Sequence, residues 1–167
     1  MARKFSVSAL SPNANRAAFD CGVEPLNRYF HAQVTQDIKR RITACFVVMD
    51  DSGVIAGYYT LASAGILLAD LPTDLSKRLP RYPSVPAVRM GRLAVDQSFK
   101  GQGLGSALLA NALRRSATAQ IAAYAMVVDA KDENAAGFYR HHGFTALTND
   151  PLVLFIPLAT LKLRENP

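Results

Sequence analysis

Between Lys100 and Ser106 the chain reads Lys-Gly-Gln-Gly-Leu-Gly-Ser, with glycines at 101, 103 and 105. Glycine lets a backbone approach a ligand closely, and the apolar-periodic run that starts near Leu104 leaves the first N–H groups of its helix without intrahelical acceptors. Such a turn can hold an anion, phosphate above all. It does not fit the nucleoside-triphosphate loop, which needs Lys then Ser or Thr after its last glycine, because Gly105 is followed by Ser106 and Ala107. Nor does it fit the dinucleotide fingerprint Gly-x-Gly-x-x-Gly. The sixth position is Ser106 counted from Gly101 and Leu108 counted from Gly103, and no acidic residue closes a second strand at the usual distance. Two readings remain: a phosphate cradle of another kind, or a turn that needs glycine only to pack a strand tightly on a helix.

Other residue types with chemistry in them are few. Phe138 and Tyr139 are either core aromatics at the end of a helix or a phenol placed to give a proton. His141 and His142 are sequence neighbours and do not share a helix face, which places them at the surface or at a cap. Cys21 and Cys45 are the only cysteines, and they lack paired metal-ligand spacing. A chain of 167 residues needs no disulfide staple, so a reducing cytoplasm fits; Cys21 reads as a small buried residue at a turn and Cys45 as core. No metal site is expected.

These groups need elements to position them. Lys4 to Leu10 alternates weakly and suits an opening strand. From Cys21-Gly22 a turn leads to Pro25 in a first helical turn, and Leu26, Tyr29, Phe30, Val34 and Ile38 recur at helical spacing, so one amphipathic helix is expected. Two strands joined by Asp50-Asp51-Ser52-Gly53 follow as an antiparallel hairpin. Ala69 to Pro86, with four prolines, reads as a short helix and an ordered loop. Val88 to Val95 is the central strand, and Leu104, Leu108, Leu109, Ala112 and Leu113 mark the buried stripe of the helix after the glycine turn. "AYAMVVDA" is a buried strand, "KDENAAGFYRHHGF" a short helix stopped at Gly143, and "DPLVLFIPL" a closing strand. The expected fold class is α/β, or α+β: one domain over residues 1–167, with a mixed sheet flanked by helices. "MARKFSVSALSPN" is a poor secretory signal, and "LVLFIPLATL" is half the length of a bilayer span, so neither export nor membrane insertion is expected.

Lys100-Gly101-Gln102-Gly103-Leu104-Gly105 resembles the cofactor motif of the GNAT N-acetyltransferases, (Gln/Arg)-x-x-Gly-x-(Gly/Ala), with lysine in place of its first residue. That exchange keeps a positive charge and loses planar bidentate geometry. Asn134, Phe138, Tyr139, Gly143 and Phe144 resemble the later motif of the same family. The resemblance implies a GNAT fold with a mostly antiparallel sheet and acetyl-CoA as cofactor. It implies that the turn from Lys100 through Gly101, Gln102, Gly103, Leu104 and Gly105 to Ser106 holds the pyrophosphate, and that Leu93, Ala94 and Val95 pair with the pantetheine. Asn134 and Phe138 become cofactor contacts, and Tyr139 becomes the general acid that protonates the departing thiolate. A phenol of pKa about 10 stays protonated at neutral pH, above a thiol of about 8.5. No glutamate offers itself as general base. That favours an α-amine acceptor, of which roughly a tenth is neutral at pH 7 against about one part in a few thousand of a lysine side chain.

"FDCGVEPLNRYF", "GYYTLA", "VRMGRLAVDQSFKGQGLGSALL" and the closing "LVLFIPLATL" further resemble the toxin branch of this family, found in bacterial toxin–antitoxin pairs. The resemblance implies acetylation of the aminoacyl moiety of charged tRNA, which blocks translation. It also implies a ribbon-helix-helix antitoxin, operator DNA reached only through the antitoxin complex, and a homodimer. A net charge of +6 suits a polyanionic partner. Lys39, Arg40, Lys77, Arg78, Arg89 and Arg92 are candidate RNA contacts, with Arg89 and Arg92 nearest the cofactor strand; each can equally be a solvated face. A protein or small-molecule amine acetyltransferase would share the turn and Tyr139 without needing the basic clusters. A catalytically silent nucleic-acid-binding module would keep the charge and tolerate loss of acetyl-CoA binding.

Overall fold

A computed structural model describes residues 4–161; the basic start of the chain, Met1-Ala2-Arg3, lies outside the described residues. The strands are β1 (Phe5–Ala9), β2 (Ala44–Asp50), β3 (Ile55–Leu67), β4 (Ser84–Val95), β5 (Ala125–Asp129), β6 (Thr145–Leu147) and β7 (Asp150–Pro157). The helices are α1 (Glu24–Arg28), α2 (Val34–Lys39), α3 (Thr73–Ser76), α4 (Leu104–Ala117) and α5 (Glu133–His141). Strand order is β1-β2-β3-β4-β5-β7-β6. β4 runs parallel to β5, while β1–β2, β2–β3, β5–β7 and β6–β7 are antiparallel, which gives the mixed, mostly antiparallel sheet.

The chain divides into two compact units, Met1–Ala62 with Gly91–Ala112 and Ser63–Met90 with Leu113–Pro167. In the first, Phe19, Phe30 and Tyr58 form an aromatic core: Phe30 stacks on Tyr58 at 4.3 Å between ring centroids, and Phe19 meets both edge-on. Cys21 and Cys45 are buried in the same cluster. Glycine's missing side chain is used for packing at Gly57 on β3, where a Cβ would stand 2.8 Å from the Ala94 carbonyl oxygen and 2.9 Å from Leu108 Cδ1 of α4. In the second unit, Ile66, Leu71, Val85, Ala87, Ala125, Val127 and Phe155 form the core, and α5 lies against β7.

Three expectations need correction. The single amphipathic helix after Pro25 is interrupted: Tyr29–Gln33 is a π-helical turn between α1 and α2. Widening the helix there frees carbonyls, and the Arg16 guanidinium donates to those of Phe30 and His31. The central strand starts at Ser84, four residues before Val88, because Pro86 still offers its carbonyl, which accepts from Tyr124 N–H at 2.8 Å. β6 was not expected at all: three residues are too few to show alternation. Other local signals hold. Asp50 closes the hairpin by accepting from Ser52 and Val54 N–H, and Gly143 stops α5 with φ +95°.

Candidate active site

The glycine turn lies in the first unit, between the end of β4 and α4. Gly101 has φ +82° and Gly103 φ +76°, both exposed, and a Cβ on either would meet nothing within 4 Å. These two glycines are therefore not there for close strand–helix packing, which is Gly57's role. They supply left-handed backbone on an open face, and such a run of N–H groups ahead of a 14-residue helix makes an anion-binding concavity. Leu93 and Val95 are half-buried and Ala94 is buried on β4, immediately upstream.

Sequence reasoning missed the latch that holds this turn. Asp96, 8% exposed, caps the 3₁₀ turn Gln97–Phe99 by accepting from Ser98 N–H at 2.8 Å, and its other oxygen accepts from Asp20 N–H at 2.9 Å. Gln97 N–H donates to the Asp20 carbonyl at 2.9 Å, and the Lys100 ammonium donates to the Cys21 carbonyl at 3.0 Å. Asp20 is held in turn by Gly22 N–H at 2.9 Å and the Asn27 amide at 2.8 Å, and these bonds lower its pKa, the Gly22 bond first. Gly22 favours glycine because its φ is +83°, left-handed backbone that L side chains rarely adopt. The Phe-Asp-Cys-Gly and Val-Asp-Gln segments, some 76 positions apart, thus lock each other. Lys100 is part of that lock, with one of its three N–H donors on backbone.

Tyr139 lies in the second unit, in the last turn of α5. It is 8% exposed, with Phe138 edge-on at 5.3 Å and Phe144 tilted against it at 5.5 Å. Burial pushes its phenol up to about 12, and the nearby Asp129 carboxylate adds to the rise. The group is a neutral proton donor at any physiological pH. Asp132 caps α5 by accepting from Ala135 N–H at 2.8 Å, and this sets Asn134 in the exposed first turn. Phe138 also meets His142 edge-on at 4.8 Å; burial, and then the charge of His141, lower His142's pKa. Among the described residues no group of three His, Cys, Asp or Glu side chains converges as a metal-ligand set. The same unit holds a cavity of about 280 Å³ whose lining includes Ile66, Leu67, Val127 and Val153, with Arg89 and Asp129 forming an ion pair in its wall.

The basic residues divide sharply. Arg89 pairs with Asp129, and Arg92 lies 3.3 Å over the Tyr29 ring, whose hydroxyl donates to Asp37 at 2.8 Å. Both of the cations nearest the cofactor strand are therefore engaged by the protein itself. Lys39, Arg40, Lys77 and Arg78 are exposed, and among the described residues no carboxylate pairs with them.

Comparison with known proteins gives the arrangement its family. The GNAT acetyltransferase domain matches residues 41–146. The probable toxin TacT of Sinorhizobium fredii (strain NBRC 101917 / NGR234) is 31% identical over 96% of this chain and 95% of its own length. The tRNA-acetylating toxin of Mycobacterium tuberculosis (strain ATCC 25618 / H37Rv) is 34% identical over 83% of each chain. Among solved structures, AtaT complexed with acetyl-methionyl-tRNAfMet superposes with a TM-score of 0.87 at 28% identity, covering 94% of this chain and 96% of that one. AtaTR bound with acetyl-CoA superposes with a TM-score of 0.80 at 29% identity, covering 93% of this chain and 95% of that one. With the family domain covering most of the chain and toxin relatives matching along nearly all of it, the chain is a GNAT acetyltransferase and belongs to the toxin branch of that family.

Proposed function

We propose that this protein transfers acetyl from acetyl-CoA to the α-amino group of aminoacyl-tRNA and so removes charged tRNA from translation. The observation that carries the reading is the likeness, over 83% of the chain, to a tRNA-acetylating toxin. The chain's own residues support each part. The cofactor fits an open turn whose two left-handed glycines have no packing neighbour that a Cβ would meet. The Lys100–Ser106 backbone, Gln102 and Leu104 included, holds the pyrophosphate, Leu93, Ala94 and Val95 pair with the pantetheine, and Asn134 and Phe138 are further candidate cofactor contacts. Acetyl-CoA supplies the activated acetyl thioester.

Tyr139 holds its proton because burial keeps the phenol neutral, and gives it to the sulfur that leaves. An α-amine near pKa 8 arrives partly neutral, so no base is needed to free its lone pair; as its N–C bond forms and the C–S bond breaks, the proton that nitrogen sheds returns through solvent to the Tyr139 phenolate, which has given its own to sulfur. The aminoacyl end enters the cavity beside Arg89 and Asp129, the carboxylate that also bears on Tyr139. A cognate ribbon-helix-helix antitoxin neutralises the enzyme in a complex that contacts operator DNA through the antitoxin. The working form is a cytoplasmic homodimer in which residues 1–167 act as one catalytic domain. No helix among the described residues is long and apolar enough to cross a membrane.

Tyr139→Phe is the test. It removes one hydroxyl and leaves the ring packing, so acetyl-CoA affinity should hold within about twofold while turnover falls by about 10²–10⁴. Unchanged turnover removes Tyr139 from the mechanism.

A further inference from the structure

The segment between β3 and β4 carries the most exposed aromatic side chain among the large apolar residues of the described chain apart from aliphatic Ile121. Tyr82 is 65% exposed, and Leu67, 56% exposed, lies at the segment's other end. The two ends are tied, since Leu68 N–H donates to the Pro83 carbonyl at 3.1 Å. Leu67 and Tyr82 each precede one of the two residues that this hydrogen bond joins. Leu67 and Asp70 also line the cavity that holds Arg89 and Asp129, so the start of this segment borders that cavity. The segment is rigid: Leu71 is buried in the second unit's core with Leu75 and Leu79 packed against it, and prolines at 80 and 83 flank Tyr82. Asp70 ties it further, its carbonyl accepting from Thr148 N–H at 3.0 Å and its carboxylate from the Asn149 amide at 3.2 Å.

The same segment carries Lys77, Arg78 and Arg81, all exposed, and no carboxylate among the described residues pairs with them. Asp74 is the one exposed acid carried by the segment's short helix α3, leaving the local balance positive. A solvated aromatic side chain on a segment that also carries three exposed cations is the chemistry that takes unpaired nucleotides. The base stacks on the ring, and the cations meet the phosphates.

We propose that the Leu68–Pro83 segment is a docking surface for single-stranded RNA, with Tyr82 stacking an unpaired 3′-terminal base so that the ester-linked aminoacyl group enters the adjoining cavity. This deepens the tRNA reading and rests on it. Tyr82 is on this account a binding residue that catalysis reaches only through placement of the acceptor.

The test measures binding of the full-length protein to a tRNA transcript with its unpaired 3′ nucleotides and to the same transcript with them removed. Wild type should bind the intact transcript at least about tenfold tighter. Tyr82→Ala should reduce that preference to within about twofold without a change in Tm, and Tyr82→Phe, which keeps the π face, should preserve it. Replacing Lys77, Arg78 and Arg81 together by alanine should weaken both transcripts and flatten the log–log salt dependence by roughly 2, from about 0.7 per phosphate contact. A preference that survives Tyr82→Ala overturns the proposal, as does equal wild-type binding of the two transcripts. A change in oligomeric state on Tyr82→Ala would give the surface to a second copy of the chain and overturn it too. Failure of the wild type to bind either transcript would instead sink the tRNA reading itself.

Discussion

Replacing Gly103 by alanine separates the two jobs a glycine can do. The backbone there has φ +76°, so an L side chain costs about 1–2 kcal/mol in the folded state. Part is offset by the reduced freedom of the unfolded chain, about 0.4–1 kcal/mol. No steric term is added, because the new Cβ meets nothing within 4 Å. A net loss of roughly 1 kcal/mol corresponds to a fall in Tm of only about 2–4 °C for a chain of this size. The methyl group stands on the open face to which the proposed function assigns the pyrophosphate, and losing even one hydrogen bond to a charged group costs about 1.5–3 kcal/mol. Acetyl-CoA affinity should therefore drop by about 10- to 150-fold while the fold barely softens. Calorimetric titration with acetyl-CoA and a thermal melt read the two effects separately. Gly57→Ala is the mirror control: its Cβ would stand 2.8 Å from a backbone carbonyl, so it should lower Tm strongly. Wild-type affinity in Gly103→Ala would refute the cradle, and a loss of stability as large as that of Gly57→Ala would refute the claim that the position is free of packing.

Asp96→Ala strands the N–H groups of Asp20 and Ser98, so it should cost about 2–4 kcal/mol in denaturant titrations, with Asp96→Asn intermediate because its amide still offers one acceptor oxygen. Above neutral pH the linkage runs against the fold. Tyr139 and Cys45 are both pushed up to about 12 by burial, so the folded chain holds protons that the unfolded chain releases from about pH 9 to 10 upward. Stability should be at its full value below that range and fall by about 1.4 kcal/mol per pH unit per group up to about pH 12, with Tyr139→Phe flattening the slope; a melt series across pH 8–11 checks it. Turnover should rise with deprotonation of an acceptor amine near pKa 8 and show no falling limb from Tyr139 before about pH 11, as a kcat/KM profile would reveal.

Local signals were legible where one residue type has one physical use. Gly143 at a helix stop, the Asp50–Gly53 hairpin, and the β4–glycine turn–α4 succession were all readable because φ preference and side-chain period act within a few residues. What the sequence hides is long-range. Nothing in local spacing says that Asp96 caps its own 3₁₀ turn and also fixes Asp20, or that Lys100 turns back to Cys21. The partners of the cations are hidden in the same way. Proximity to the cofactor strand favoured Arg89 and Arg92, yet the fold supplies each with a partner, Asp129 forty positions away and the Tyr29 ring. The π turn at Tyr29–Gln33 is invisible for a related reason: its apolar positions still fit a regular helix, and only the carbonyls freed to Arg16 betray it.

The central claim is acetyl transfer to the aminoacyl end of tRNA, and its most direct measurement uses labelled acetyl-CoA with purified protein. A mixture of charged tRNAs is offered beside lysine peptides and polyamines, and the RNA is then digested to its terminal aminoacyl-adenosine for mass analysis. The account predicts label on the α-amine of the aminoacyl-adenosine, far above the other acceptors. Label confined to peptides or polyamines would contradict it.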